Sequence, residues 1–227
     1  MRPSVTQLAM SRRAALQSLA ILGLAPVVNA CTNSSDAASD NVDDNLGFAG
    51  VVLGEPLAKP TIAFTDTGGQ PYDLGAQTEG QLLLLFFGYT SCPDVCPITL
   101  ALLDSALSEL SGPGADARVV FVGVDNARDT PERMRQYLDD RGEGFVGLNP
   151  QVPLDELNAT LTSLLLPGVT IAEPEPDGSY VVGHPSQVLV YSPDNTAHIV
   201  YQFETKKAEW VKDLPRLATF DWPVTTR

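Results

Sequence analysis

Positive charge is scarce in this chain. Its 227 residues include 14 Lys and Arg against 28 Asp and Glu, which gives a formal net charge of −14. A surface of this sign repels the phosphates of nucleic acids and anionic lipid head groups, so the composition argues against nucleic-acid binding. The same charge favours cationic partners or metal cations, or it only keeps the protein soluble.

Side chains that bind soft metals are also few. The sequence has three cysteines, three methionines and two histidines. A structural zinc site usually takes four Cys or His ligands, and this inventory leaves little room for one. The methionines are too few and too scattered for a methionine-rich copper tract.

The sequence lacks an apolar run of the roughly 20 residues that a membrane-spanning helix needs. The run from Ala14 to Val28 is shorter and follows the pair Arg12-Arg13. A basic start, a short apolar stretch and small residues at its end are typical of a signal peptide, and the paired arginines resemble a twin-arginine export signal. We therefore predict that residues 1–30 are an export signal.

Cys31 follows this segment in the order Val28-Asn29-Ala30-Cys31, which resembles a bacterial lipobox. In such a motif the cysteine is acylated and becomes the mature N-terminus. Lipidation of Cys31 would also explain the odd cysteine count of an exported protein, since Cys92 and Cys96 then have only each other. The alternative is a plain secretory signal, with Cys31 an ordinary thiol.

Residues 31–47 are predicted to form a flexible tether. Thr32 to Asn45 are rich in Ser, Asn, Asp and Ala and cannot bury enough apolar area to offset the entropy of ordering. The composition becomes typical of a folded domain from Phe48, and we predict one domain over residues 48–220. With a lipid on Cys31, this domain would be extracytoplasmic and anchored at the outer face of the cytoplasmic membrane.

The domain shows the patterns of alternating strands and helices. Alternation around Gly68-Gly69 predicts a β-hairpin over residues 61–76, and the continuous apolar run QLLLLFFGY, residues 81–89, predicts a central strand buried on both faces. Helical periodicity follows over residues 97–110, with Pro97 in the first turn. The further predicted elements are a strand at 117–125, helices at 130–142 and 153–166, two strands within 179–203, and a helix at 206–220 that Pro215 breaks or kinks. This order predicts an α/β fold with an N-terminal β-hairpin and a mixed sheet flanked by helices on both faces.

The turn after the central strand contains two cysteines, in TSCPDVCPITL. Cys92 and Cys96 are four residues apart, and a strand-to-helix turn can bring such a pair within disulfide distance. The following helix directs the positive end of its dipole at them, which favours the thiolate, the form that attacks disulfides and binds soft metals. The pair could thus be a structural clip, a redox pair or part of a metal site.

The two histidines are the remaining candidate donors. His184, in VVGHPSQ, is predicted to open a strand of the last hairpin, where it can lie beside the cysteine turn. His198 lies within the next strand and is interpreted as an ordinary strand residue. Two thiolates and one imidazole suit Cu(I), and they can hold Cu(II) with one weak added ligand. Asp125, at the end of the second central strand, either supports this site or caps the next turn.

Three blocks of the sequence resemble the Sco/SenC family of copper-binding assembly proteins. The first is FFGYTSCPDVCPITL, residues 86–100, and the second is VGVDNARDTPERMRQYL, residues 122–138, with Asn126 where the family usually has Pro. The third is Gly183-His184-Pro185, where the family usually has Asp-His-Ser. The histidine is kept, whereas a carboxylate that could steady its ring is absent. The resemblance covers roughly residues 50–215.

This resemblance implies a thioredoxin-like fold with copper bound by Cys92, Cys96 and His184. It also implies a role in assembling the dinuclear copper centre of cytochrome c oxidase, by delivering copper to the copper-bearing subunit or by reducing its thiols. We therefore predict a copper chaperone that its N-terminal lipid anchor tethers to the membrane. The alternative is an enzyme, a thiol–disulfide oxidoreductase with Cys92 and Cys96 as catalytic residues that form a disulfide, although their spacing is not the Cys-x-x-Cys of thioredoxin.

Two further alternatives stay open. The first is a peroxidase of the peroxiredoxin type. Thr90 stands two residues before Cys92, near the place where peroxiredoxins have a threonine, but the sequence offers no matching active-site arginine. A purely structural disulfide would close a very short loop and would gain little stability from loop entropy.

Overall fold

The computed structural model describes residues 45–142 and 144–222. The predicted export signal, Cys31 and most of the predicted tether lie outside these residues and stay predictions. The described strands are β1 Val51–Ala58, β2 Phe64–Asp66, β3 Pro71–Tyr72, β4 Leu83–Gly88, β5 Arg118–Gly123, β6 Val146–Pro150, β7 Thr170–Ile171, β8 Val182–Gly183, β9 Val188–Tyr191 and β10 Thr196–Tyr201. The described helices are α1 Leu74–Gln77, α2 Val95–Leu107, α3 Pro131–Asp139, α4 Leu154–Ser163 and α5 Lys207–Leu217. None of these helices has the length and apolar character needed to cross a bilayer.

Eight strands form one mixed sheet in the order β1-β10-β9-β4-β5-β6-β2-β3. Strands β4, β5 and β6 run parallel, and β9 pairs with β4 antiparallel. The β2–β3 hairpin lies at one edge against β6, and β1 lies at the other edge against β10. Strands β7 and β8 pair separately as a small hairpin. The predicted mixed α/β fold is confirmed.

The composition of β4 explains its central position. The exposed fraction of each side chain from Leu83 to Phe87 is 0%. Because successive side chains of a strand point to opposite faces, both faces of β4 are covered, as the sequence predicted. Burial of each large apolar side chain contributes about 1.5–3 kcal/mol, so β4 is a firm base for the turn that follows it.

Three helices pack on one face of the sheet. A Cβ on Gly88 of β4 would meet Cys96 of α2, and a Cβ on Gly147 of β6 would meet side chains of α3. The ring of Tyr201 in β10 lies 4.1 Å, centroid to centroid, from that of a tryptophan in α5. The strand registers put these three positions on the same face of the sheet. Helices α2, α3 and α5 therefore lie on the same face of the sheet, and α2 packs against the end of β4.

Two strands of the eight-stranded sheet, β1 and β6, were not predicted. Strand β1 contains Gly54 and Pro56, which are turn and breaker residues in sequence reasoning. An edge strand tolerates them, and the pairing of β1 with β10 is irregular between Val52 and Leu57. Strand β6 is short, contains Gly147 and ends at a proline, so it shows no clear periodicity.

Two element boundaries also differ from the predictions. Helix α2 begins at Val95 rather than Pro97, because the Asp94 side chain caps it by accepting from the Val95 backbone N–H at 2.7 Å. Helix α5 continues through Pro215 to Leu217, so this proline does not end it. The prediction that His184 opens a strand is wrong, since His184 directly follows β8 and lies before β9 begins.

Candidate metal centre

The cysteine turn joins the central strand β4 to helix α2. The Cys92 backbone N–H donates to the Tyr89 carbonyl at 3.1 Å, which tightens the turn. The cap formed by Asp94 starts the helix early enough to put Cys96 in its first turn. The Cys96 backbone N–H then donates to the Cys92 sulfur at 3.4 Å. The helix start thus directs a donor at this sulfur, which stabilises negative charge there.

His184 reaches the same place from the β7–β8 hairpin. Its Nδ1 lies 3.0 Å from the Phe87 carbonyl oxygen and 2.8 Å from that of Pro185. Carbonyl oxygens only accept hydrogen bonds, so Nδ1 carries a proton and Nε2 faces the cysteines. Edge-to-face contacts with Phe86 and Tyr89, at 6.2 and 5.4 Å between ring centroids, fix the ring plane. Backbone carbonyls therefore orient this imidazole without a carboxylate at position 183.

The three predicted donors converge. His184 Nε2 lies 3.5 Å from Cys92 Sγ and 3.6 Å from Cys96 Sγ, and the three atoms all lie within 4.8 Å of one another. Metal–sulfur and metal–nitrogen bonds of about 2.3 and 2.0 Å put donors that share one ion roughly 3.5–3.7 Å apart. The two nitrogen–sulfur separations match this value. Across the described ranges, this is the one group of three or more Cys, His, Asp or Glu side chains close enough to hold a metal ion.

The two thiols are free and differ strongly in acidity. The pKa of Cys92 is lowered from 9.0 to about 4, chiefly by a hydrogen bond from the Cys96 thiol, with further hydrogen bonds from His184 and backbone N–H groups outweighing burial. Burial raises the pKa of Cys96 far above the usual thiol range, and the charge on Cys92 raises it further. Cys92 is therefore the thiolate of the pair and Cys96 the protonated thiol. The predicted disulfide between them is not formed in this structure and stays a prediction.

The acidity of His184 reflects the same contacts. Burial lowers its pKa, but hydrogen bonds to Cys92 and to the Pro185 and Phe87 carbonyls outweigh burial, so the net pKa is raised. The imidazole can therefore hold a proton against the Cys92 thiolate at Nε2. That proton has to leave before a metal ion can bind between them.

Gly88 has a role that the sequence analysis missed. A Cβ at this position would lie 2.5 Å from Cys96 Sγ and 2.8 Å from the Phe121 ring. A carbon atom does not approach an atom to which it is not bonded so closely, so only glycine leaves room for the Cys96 sulfur against the end of β4. The abrupt end of the apolar run at Gly-Tyr-Thr is the sequence signal that could have indicated it.

Two buried acids follow β5, and their partners differ. Asp125 accepts hydrogen bonds from the Tyr180 hydroxyl at 2.8 Å and from Arg128 Nε, and its support of the metal centre stays a prediction. Asp129, which was not among the predicted site residues, accepts from the backbone N–H and the hydroxyl of Thr90 at 2.9 and 2.6 Å. Asp129 therefore holds the turn that leads into Cys92.

The structure also places His198 and Arg133. His198 lies within β10, as predicted: its Nε2 lies 2.6 Å from an Asp194 carboxylate oxygen, and its ring stacks on Trp222 at 4.4 Å between centroids. The Arg133 guanidinium donates to the hydroxyls of Thr90 and Ser91 at 2.9 and 3.1 Å. An arginine thus lies beside the cysteine turn, and these contacts join it to hydroxyls rather than to sulfur.

Known proteins resemble this domain in sequence and in fold. The SCO1/SenC family model matches residues 55–219. The chain belongs to the SCO1/SenC family. The predicted family is confirmed, and with it the thioredoxin-like fold.

Relatives of this SCO1/SenC protein include bacterial and mitochondrial proteins. It is 33% identical over 182 residues to a Stutzerimonas stutzeri protein named for copper binding. The match covers 79% of this chain and 83% of that protein. It is 29% identical over 143 residues to mitochondrial SCO2 of Saccharomyces cerevisiae, which covers 63% of this chain but 45% of the yeast protein. The structure of Bradyrhizobium japonicum ScoI with copper bound matches it with a TM-score of 0.60 and 27% identity, over 71% of this chain and 99% of that chain.

Proposed function

We propose that this SCO1/SenC protein binds copper at Cys92, Cys96 and His184 and delivers it to the copper-bearing subunit of cytochrome c oxidase. The observation that carries the proposal is the convergence of one imidazole nitrogen and two sulfurs, at 3.5 and 3.6 Å. This soft donor set favours Cu(I), and one weak added ligand allows Cu(II). The copper-binding name of the Stutzerimonas relative and the copper-bound ScoI structure support the choice of metal.

The acidities of the two thiols suit a site that both accepts and releases copper. Cys92 is already ionised at neutral pH, so it can bind copper without first losing a proton. Cys96 has to lose its proton on binding, because its pKa is strongly raised by burial. Metal binding and proton release are therefore coupled, and return of the proton to Cys96 favours release of copper to a recipient.

We further propose that Cys31 carries a lipid anchor that holds the domain at the outer face of the cytoplasmic membrane. The lipobox-like sequence before Cys31 supports this. A tether would raise the local concentration of the domain beside a membrane-bound oxidase. Mass spectrometry of the membrane fraction should find acyl chains on Cys31, and Cys31→Ala should release the protein from the membrane. Wild-type protein recovered without acyl groups would contradict the anchor.

Anaerobic titration of the reduced full-length chain with Cu(I), in competition with a chromophoric chelator, tests the metal site. We expect one tightly bound copper per chain, loss of tight binding in Cys92→Ser and Cys96→Ser, and weaker binding in His184→Ala. His198→Ala is the matched control for the histidine, and Cys31→Ala is the control for the remaining thiol. Unchanged affinity in His184→Ala would remove the imidazole from the site, and no tight binding in the wild type would refute the proposal.

A thiol–disulfide oxidoreductase is the second candidate function, and the unequal pKa values of the cysteines favour it. The Cys92 thiolate would attack a partner disulfide, form a mixed disulfide and release one partner thiolate, which takes up the Cys96 proton. The Cys96 thiolate would then attack the Cys92 sulfur and release the second partner sulfur as a thiolate, which takes a proton from water, so this protein is left with a Cys92–Cys96 disulfide. Stoichiometric reduction of an oxidised partner peptide without copper, arrested at the mixed disulfide in Cys96→Ser, would establish this function.

A further inference from the structure

The segment that carries His184 is held by few contacts of its own. Strands β7 and β8 pair at only two positions, Thr170 with Gly183 and Ile171 with Val182, and this hairpin is separate from the eight-stranded sheet. Most side chains along it are open to solvent, with exposed fractions of 50% for Ile171 and, just before β8, 67% for Val181, whereas Val182 is buried at 2%. A hairpin this short does not by itself fix the position of the residue that follows it.

A compact group of three side chains ties this hairpin to the main sheet. Arg128 lies with its guanidinium carbon 3.6 Å from the centre of the Tyr180 ring, and its Nη1 donates to the Tyr180 carbonyl at 3.1 Å. The Tyr180 hydroxyl donates to Asp125 at 2.8 Å, and Arg128 Nε donates to the other oxygen of the same carboxylate. We call Asp125, Arg128 and Tyr180 the clamp. The Asp125 side chain is 1% exposed, so the ion pair inside the clamp is largely shielded from water.

The clamp is attached to the strand ends that carry the cysteine turn. Asp125 comes directly after Val124, whose backbone N–H donates to the Gly88 carbonyl at the end of β4, at 2.8 Å. The Arg128 guanidinium also lies 5.6 Å from the ring of Tyr89, which packs edge-on against His184. Asp125 and Arg128 therefore belong to the part of the fold that carries the cysteines, and Tyr180 belongs to the segment that carries His184.

We propose that Arg128 and Tyr180 are positioning residues that set the distance of His184 Nε2 from the two sulfurs. This inference rests on the proposed copper site. Tyr180 lies two residues before β8 begins, so the clamp fixes the chain that leads into this strand. The hydrogen bond between His184 Nδ1 and the Phe87 carbonyl fixes the ring itself. Without the clamp, the hairpin can shift and the imidazole leaves the sulfurs, although the cysteines keep their own turn.

The test compares copper affinity in a double-mutant cycle on the full-length chain, with Cu(I) as the probe. Arg128→Ala should weaken Cu(I) binding about 10-fold, the range seen when residues that orient metal ligands are removed. In a His184→Ala background the same substitution should change the affinity less than 2-fold, because the histidine it positions is gone. Arg135→Ala is the matched control, since Arg135 bonds to Asp139 and the Phe145 carbonyl instead.

Two more variants sharpen the result. Arg128→Lys should not restore affinity, because an ammonium group lacks the planar fork that both stacks on Tyr180 and bonds to Asp125. Tyr180→Leu removes the hairpin side of the clamp and should match Arg128→Ala, so it serves as the test if Arg128→Ala does not fold. Equal losses with and without His184, or no loss in either clamp variant, would overturn the inference.

A readout without copper separates this inference from the proposed function. In the metal-free chain, heteronuclear NMR of the His184 ring should show a slowly exchanging Nδ1 proton, which the hydrogen bond to the Phe87 carbonyl protects. Arg128→Ala and Tyr180→Leu should speed this exchange at least 10-fold, and unchanged exchange would refute the positioning role. If the wild type binds no copper while the clamp variants still speed exchange, the proposed function fails and the positioning of His184 stands.

Discussion

Alkylation of Cys92 in the folded protein should be almost independent of pH between 6 and 8. The pKa of Cys92 is lowered from 9.0 to about 4, so the thiol is fully ionised throughout this range. A thiol with the ordinary pKa of 9.0 is about 0.1% ionised at pH 6 and gains roughly 100-fold in thiolate by pH 8. The folded and unfolded forms of the same cysteine should therefore give a flat and a rising profile.

The absolute rates are closer than the ionised fractions suggest. A drop of about five pKa units lowers the intrinsic nucleophilicity of a thiolate by about 100- to 300-fold, for a Brønsted coefficient of about 0.4–0.5. Against a thousandfold gain in thiolate, Cys92 should react about 3–10 times faster than an ordinary thiol at pH 6. At pH 8 the ordinary thiol should be the faster one. Cys92 is 7% exposed in the folded chain, which slows its own labelling at every pH but leaves the slope of its profile unchanged.

The assay is iodoacetamide labelling of the reduced chain, with peptide mass spectrometry to read each cysteine separately. The urea-unfolded chain is the control for the ordinary profile. Cys96→Ala removes the hydrogen bond that lowers the pKa of Cys92 most, so its profile should begin to rise within the tested range. A tenfold rise per pH unit in the folded wild type would refute the account of Cys92 as a stable thiolate.

Three further changes test the packing around the site. Gly88→Ala would put a carbon 2.5 Å from Cys96 Sγ. It should lower the unfolding free energy measured in urea titrations by about 1–3 kcal/mol and weaken copper binding. A variant as stable as wild type would show that α2 can shift. Gly183→Ala would put a carbon 2.5 Å from Thr170 Oγ1 and should weaken copper binding. Adding Thr170→Ala should restore the binding, and failure of that rescue would rule out this clash as the cause. Asp129→Ala removes the acceptor of two hydrogen bonds from the turn before the cysteines and should lower the unfolding free energy by about 2–3 kcal/mol, a loss that calorimetry would detect or exclude.

The central part of the fold was readable in the sequence because its signals are local. The six residues of β4 form an uninterrupted apolar run, and such a run is stable only where both faces of a strand are covered. The edge strand β1 could not be read in this way, because Gly54 and Pro56 interrupt it and its pairing partner lies far along the chain. Local pattern identifies a strand, whereas pairing at an edge depends on the finished sheet.

The metal centre was predictable in composition but not in geometry. The spacing of Cys92 and Cys96 is a local property, but His184 is 92 and 88 residues away from them and meets them only through the assembled sheet and hairpin. The roles of Asp125 and Asp129 also could not be separated in advance. These two acids are four residues apart, and only the folded chain decides that one faces Tyr180 and the other Thr90.

The acceptor that holds the His184 ring is the peptide oxygen of Phe87, and this choice has a genetic consequence. Every amino acid brings that oxygen with it, so no single codon change at position 87 can delete it while the strand keeps its register. It also does not titrate, so acid that would neutralise a carboxylate leaves it intact. A protein built this way can lose the acidic neighbour of its histidine and still inherit a correctly turned imidazole.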